Sequence, residues 1–384
     1  MRHELMCSRS GRTSAVVYRP AIKPGRLSVV INITGLWRLG WRPTLMQFML
    51  LRRKLAASLC IPVGLGFISC AAQGQTETDW IQLNWENDFF AGEDNGYTNG
   101  TGVSWGRRGL EQFDGQSLPG WLGFLAEKTY LANFSGRQRA VSYTLGQAMY
   151  TPTDIEQTQL IENDRPYAGL LVWGASLYAF DEEVSDRLSL MLGVVGPAAG
   201  AKHTQKLIHD VVGSDTPQGW GNQLDNEPVF SVEAQRLWRV EQWRRGGLEF
   251  DIIAGAGGGA GNLLSQVSSG VALRVGSQLG GTWSAVSLIP SRTINTFASE
   301  SIASWQLYFS LGGRYVLNDI TIDGNTFSSS HSVPLEHTQG IMSAGLAVNR
   351  GQWGASFSYQ LGTDQFEGQR MNTRFGALAL TYLF

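Results

Sequence analysis

The chain ends "FGALALTYLF" (375–384), and the reading of those ten residues sets the reading of everything before them. Leu378, Leu380, Tyr382 and Phe384 are spaced by two, so in an extended chain they share one face, because strand side chains alternate. Working backward, the same alternation recurs near residues 79–88, 98–107, 139–148, 167–180, 186–196, 228–242, 246–255, 267–276, 303–316, 338–349, 353–361 and 372–384, which makes twelve candidate strands. Glycine is 47 of 384 residues and charged residues only 16%, against usual shares of ~7% and ~25%. Aromatics reach 11%, with 13 Trp. After residue 75 no apolar run reaches the ~20 residues of a spanning helix. This profile fits an antiparallel transmembrane β-barrel; a large soluble β-sandwich shares it.

The two ends of the chain separate those alternatives. An apolar strand face closed by an aromatic third from the end and a terminal Phe resembles the strand by which the barrel assembly machinery recognises outer-membrane barrels; a buried last strand of a soluble sheet is the plainer reading. At the other end, "MLLRRKLAASLCIPVGLGFISCAA" (49–72) has the form of a secretory signal, with Arg52, Arg53 and Lys54 before a short apolar core and small residues before Gln73. The expected organisation is a superfluous segment 1–45 before a start placed too early, a signal over 46–72, and one barrel domain over 73–384.

Without residues 1–72 the chain keeps 19 basic and 31 acidic groups, a formal charge of −12, which excludes a basic nucleic-acid surface. Cys7, Cys60 and Cys70 all fall in the removed part, so disulfide scaffolds, Cys-ligated zinc and thiol nucleophiles are excluded as well.

Connections such as 181–186, 244–247 and 349–352 are short, whereas 149–166 and 197–227 are long, the asymmetry of a barrel with its long loops outside the cell. With both termini periplasmic, the connections 89–97, 149–166, 197–227, 256–266, 317–337 and 362–371 face the exterior. Residues 108–138 and 277–302 are long on the periplasmic side, and "LPGWLGFLAEKTY" (118–130) there predicts a small amphipathic helix on the membrane surface. In the third outer loop, "GPAAGAKHTQKLIHDVVG" (196–213) predicts a short helix, with Gln205 and His209 four apart on one face.

The chemistry-bearing stretch is "WENDFFAGEDNGYTNG" (85–100), which crowds Asn87, Asp88, Glu93, Asp94, Asn95, Thr98 and Asn99 at one hairpin tip. A solvated loop tip accounts for them; so does a hard-cation site, since such oxygens suit Ca²⁺. The spacing is not that of an EF-hand. His209 is either a structural side chain or a general base near neutral pH. No Ser, Cys or Lys stands in a nucleophile motif, so a hydrolase would use water.

Together "NWENDFF…DNGYTNG", "QAMYTP", "NDRPYAGLL", "GVVGPAAGAKHTQKLIHDVVG" and "NDITIDGNTFSSSHSV" resemble, in the same order, the lipid A 3′-O-deacylase family of outer-membrane barrels. The resemblance implies a twelve-stranded barrel in the bacterial outer membrane whose site lies between the outer wall and a loop helix. It implies lipid A, or lipopolysaccharide, as substrate and Ca²⁺ as cofactor, with His activating water and the cation holding the oxyanion. By it, His209 is the base, Gln205 its polar neighbour and Asn87 a catalytic partner, while Asp88 and Thr98 hold the cation. Asp215 falls where some members carry an acidic residue. Some relatives place a Lys in the second outer loop; here 149–166 contains none, and Arg165 is the cation available to bind substrate. A non-enzymatic channel or adhesin and a phospholipid hydrolase of the same fold are the rival readings.

Overall fold

The computed structural model describes residues 79–88, 96–113, 118–212, 216–280, 282–283, 303–370 and 372–384. The expected leader, residues 1–72, lies outside them. The strands are β1 (Trp80–Asn87), β2 (Gly96–Leu110), β3 (Gln138–Thr151), β4 (Ala168–Phe180), β5 (Val184–Val195), β6 (Glu227–Arg245), β7 (Leu248–Ala260), β8 (Leu264–Gly276), β9 (Ala303–Asp319), β10 (Thr338–Arg350), β11 (Trp353–Gly362) and β12 (Arg374–Leu383). Among the described residues three α-helices join them: α1 (Gly120–Glu127), α2 (Ala201–Val212) and α3 (Ile320–Asp323).

All neighbouring strands pair antiparallel, and β12 pairs with β1 as well as β11, from Trp80↔Leu383 to Asn87↔Gly376. The sheet therefore closes, leaving no strand edge exposed. The period-two pattern of "FGALALTYLF" is now explained by place: Leu378 and Leu380 point to the outside and are exposed, whereas Ala379 and Thr381 point inward and are buried.

Most strands repeat this division. Outward positions carry exposed Leu83, Leu145, Leu192, Phe230, Leu273, Leu307 and Phe309, the composition of a wall that faces lipid rather than water. Inward positions carry polar side chains that satisfy one another. Thr381 donates to Gln82 (3.1 Å), Gln82 to Asn84 (2.5 Å) and Asn84 to Ser104 (3.3 Å), and Ser104 shares a 2.9 Å bond with Thr144. This ladder crosses four strands and pairs lumen-facing hydroxyls and amides with one another. Toward the end where β1 begins and β12 ends, Arg274 and Arg239 converge on Asp251, all three side chains buried (2.5 and 3.2 Å).

The expected outer connection 256–266 is not a loop. β7 runs to Ala260 and β8 resumes at Leu264, leaving a tight hairpin. "AGAGGGAGN" (254–262) reads as loop by composition, yet its glycines let strands approach closely: a β-carbon on Gly261 would lie 2.1 Å from the Phe230 carbonyl oxygen. Asn262 then seals the turn, accepting from the Phe230 N–H (2.8 Å) and donating to the Pro228 carbonyl (2.9 Å).

A candidate active site on the outer wall

Four residues form a single row across the outer end of the wall. Asn87 of β1 faces Asn99 of β2, Asn99 faces Met149 of β3, and Met149 faces Gly169 of β4. Directly paired residues in an antiparallel sheet point to the same side. Asn87 continues the face of Ile81, Leu83 and Trp85, with Leu83 exposed at 54%, so the row belongs to the lipid side of the barrel.

The Met149 and Gly169 end of the row is covered by α2 and its flanking turns. Gly200 adopts a left-handed conformation (φ 72°), which few other residues tolerate, and its carbonyl accepts from His203 N (3.0 Å) and Thr204 N (3.3 Å) to start the helix. Ala201, Gln205 and His209 then recur every four residues and are all buried, at 2%, 1% and 4% exposure, while Lys202, His203, Lys206 and Leu207 between them are exposed. Gly169 permits the contact, because a β-carbon there would lie 2.6 Å from that of Ala201. Met149, Tyr167, Ala201 and Trp220 pack as one cluster that fastens helix to wall. Gln147 adds a bond from the wall to the Ala199 carbonyl (2.6 Å). Burial pushes the Tyr167 phenol up to about 12, so at neutral pH it stays a neutral donor, to the Ile155 carbonyl (3.3 Å).

Trp220 also fixes the chemistry of Gln205. An indole N–H only donates, so the Gln205 atom that receives it at 2.7 Å is the carbonyl oxygen Oε1. The buried Nε2 is therefore the remaining group, and it has no hydrogen-bond partner among the described residues. Neither Oδ1 nor Nδ2 of Asn99 has one, at 1% exposure. Leaving such groups unmet costs about 1–3 kcal/mol each, so two unmet amides on one row and the helix over it mark a place shaped for a ligand.

The remaining expected residues fall as follows. Asn87 (7%) and Asp88 (1%) are both buried. Asp88 has the opposite parity, but β1 ends at Asn87, so Asp88 is released from the strand alternation. Thr98 occupies the extra position of a bulge in β2, between the pairs Tyr97↔Tyr150 and Asn99↔Met149; bulges re-aim the chain beside functional sites. From Ala201 to Val212 α2 is about 17 Å long at ~1.5 Å per residue, against about 14 Å for the ladder steps from Gly169 to Asn87 at ~4.8 Å each, so its length suffices to span the row. Arg165 is not brought to this group. It lies in the barrel mouth, over the lumen-facing Tyr150 ring (4.5 Å), donating to Thr321 Oγ1 (3.0 Å) and Gln365 Oε1 (3.1 Å). Asp215 lies outside the described residues.

The profile of a family described as "Outer membrane protein LpxR" matches residues 55–384. The chain belongs to the LpxR outer membrane protein family. Among solved structures, LpxR from Salmonella typhimurium aligns with a TM-score of 0.64 at 16% identity, over 79% of this chain and 100% of that one. The β domain of the Bordetella autotransporter BrkA (TM-score 0.40, 11% identity, 80% and 99% covered) and the translocator domain of NalP from Neisseria meningitidis (0.35, 11%, 89% and 98%) are more distant barrels. No curated protein sequence matches. An LpxR-family, closed twelve-stranded barrel places the protein in the outer membrane.

Sequence reasoning missed Gly169, Trp220 and the role of Asn99. Asn99 carried a signal, being an amide on the apolar parity of "NGTGVSW" (99–105); the other two depend on contacts between distant segments.

Proposed function

We propose that this LpxR-family barrel hydrolyses the 3′-O-linked acyloxyacyl ester of lipid A at the lipid-facing row under α2. The observation that carries the reading is the siting of buried polar groups, Asn87, Asn99, Gln205 and His209, on the outer rather than the lumenal side of the wall, with buried Asp88 next in the chain to Asn87. A site there meets its substrate from within the leaflet, so acyl chains stay in the bilayer and the ~0.8 kcal/mol per exposed CH₂ is avoided.

His209 is the base. It takes a proton as water oxygen attacks the ester carbonyl, and it returns that proton to the departing 3′ oxygen of the sugar, leaving a free acid and a hydroxyl. Gln205, its amide oriented by Trp220, offers Nε2 as a donor to the developing oxyanion. Asp88, the Asn99 carbonyl and the Thr98 segment are hard oxygen donors of the kind Ca²⁺ takes, and the unmet Asn99 Oδ1 fits that role. When bound, the cation supplies Lewis-acid polarisation of the ester and offsets the anionic charge of lipid A.

The test is mass spectrometry of lipid A from cells expressing the protein or its His209→Ala variant, with purified protein assayed in Ca²⁺ or EDTA. Loss of a 3′ acyloxyacyl group that needs both His209 and Ca²⁺ supports the reading. Unchanged lipid A from a folded, surface-exposed barrel would end it, directing attention to phospholipid esters and then to conductance. Passive conductance is disfavoured by Arg165, which lies buried over the lumen-facing Tyr150 and is held there by Thr321.

A further inference from the structure

The outer wall carries a second attachment, at the opposite end of the same strands. Residues 118–134 leave the end of β2, form α1 and fold back against β3 and β4. Leu118, Leu122, Ala126 and Leu131 pack there with Val141, Ala175, Leu177 and Ala179, which share the outward parity of Met149 and Gly169. The segment thus covers wall that would otherwise meet lipid. Its other side is apolar too: Trp121 is 50% exposed, Phe124 63%, Leu125 48% and Tyr130 41%.

We propose that residues 118–134 are an interfacial foot, seated among the phospholipid headgroups of the periplasmic leaflet. Two independent features identify that partner. The first is continuity with the lipid-facing wall. The Trp121 ring lies 6.0 Å from Trp173, Trp173 lies 6.3 Å from Tyr143, and Tyr143 lies 5.8 Å from Trp105, so the exposed helix extends a row of outward aromatics. At the far end of that row Trp121 and Tyr130 are exposed, and Trp and Tyr are the residues that gather at the headgroup level, where an amphipathic ring meets both chain and water. The second is a charge cluster on the same face. Asp186 of β5, buried at 1%, receives Arg137 Nη1 and Arg236 Nε, each at 2.7 Å, and Arg137 also holds Asp181 (2.8 Å). The Phe134 ring roofs it, 4.3 Å from the Arg137 guanidinium and 5.7 Å from that of Arg236. Charges on a barrel's lipid face are costly at mid-bilayer and tolerated near its boundary, so the cluster places this end at the interface and the foot shields it.

The same strands therefore bear α2 at one end and the foot at the other. Gly169 and Leu177 are eight residues apart on β4, about 26 Å at ~3.3 Å per residue and about 20 Å in height for a strand tilted by ~40°. That separation is close to the ~25 Å apolar band of such barrels. The foot fixes the height at which the row of Asn87 and Asn99 sits in the opposite leaflet.

The test is depth-resolved quenching. With Cys7, Cys60 and Cys70 replaced by Ser, single cysteines are introduced as Phe124→Cys, Leu192→Cys on the mid-wall and Glu182→Cys in the β4–β5 turn. Each is labelled with a polarity-sensitive fluorophore in phosphatidylethanolamine–phosphatidylglycerol vesicles carrying a nitroxide near the headgroup or deep in the chain. The probe at 124 is expected to be quenched several-fold more by the shallow nitroxide than by the deep one, the probe at 192 more by the deep one, and that at 182 by aqueous iodide. A probe at 124 that behaves like the one at 182 overturns the proposal, and with it any protein-docking role becomes the better account. Heat-modifiable gel migration checks each barrel, and Leu125→Cys replaces Phe124→Cys if that variant fails to fold. The readout does not use deacylation, so it stands or falls apart from the proposed activity.

Discussion

A β-carbon on Gly169 would sit 2.6 Å from the β-carbon of Ala201, and this single clearance lets α2 lie directly on the barrel wall. Gly169→Ala is predicted to lift the start of the helix. Overpacking of this kind costs about 1–3 kcal/mol, but it falls on a loop attachment, not on the closed ladder. Displacing catalytic groups by ~1 Å can cost ~10²-fold in rate. Deacylation by purified protein should therefore fall by about that factor while heat-modifiable migration stays normal. Full activity would show that the close approach has no part in positioning the site.

Gln205 gives a variant that separates structure from chemistry. Gln205→Glu keeps an oxygen for the Trp220 indole, now 2.7 Å from Gln205 Oε1, but removes the buried N–H donor. Loss of one oxyanion donor lowers turnover ~10²–10³-fold. The expected signature is a fall in kcat with little change in KM and no change in barrel stability. If Gln205 merely supports the helix, the variant will be nearly as active as the parent.

How much of this was readable beforehand follows from which interactions are local. The barrel was legible because closure needs only the period-two alternation, which "FGALALTYLF" shows as plainly as any strand. The α2 helix was legible from Gly200 and the four-residue spacing of Gln205 and His209. The β7–β8 hairpin was not, since glycine permits loop and close strand alike, and only the neighbouring Phe230 carbonyl decides. The place of Arg165 was not legible for a related reason: its partners Thr321 and Gln365 lie 156 and 200 residues away, and no local pattern announces them. Trp220 likewise acts through a side chain fifteen positions earlier.

The β4–β5 turn gives a pH dependence. Burial acts to raise the Asp181 carboxyl, but the N–H groups of Val184 and Glu183 and the Arg137 guanidinium outweigh it and hold the group below its usual range. A depressed folded pKa contributes stability above the unfolded value, ~3.9, and that stability is lost as pH falls through the folded value. The turn and the adjoining foot are thus predicted to loosen in acid below about pH 4. Hydrogen exchange of residues 118–137 and 181–184, corrected for intrinsic rates, measures it. Asp181→Asn, which keeps an acceptor but not the ion pair, should flatten the response. Exchange unchanged between neutral and acid conditions would show that the Arg137–Asp181 contact contributes nothing there.

Asn99 offers the sharpest trade between stability and function. Its carboxamide is buried opposite Asn87 with neither polar atom met among the described residues. An apolar residue of similar size should relieve that penalty of about 1–3 kcal/mol. Asn99→Leu is therefore predicted to leave the barrel as stable as before or more so, judged by its urea midpoint for unfolding from detergent micelles. The same change removes an oxygen from the proposed cation site, so half-maximal activation by Ca²⁺ should move to at least ~10-fold higher concentration, a loss of about 1.4 kcal/mol. The two readouts are expected to move in opposite directions. A variant that is both less stable and unaltered in its Ca²⁺ response would mean that Asn99 is an ordinary packed residue, and the oxygen set would then have to be rebuilt around Asp88 without it.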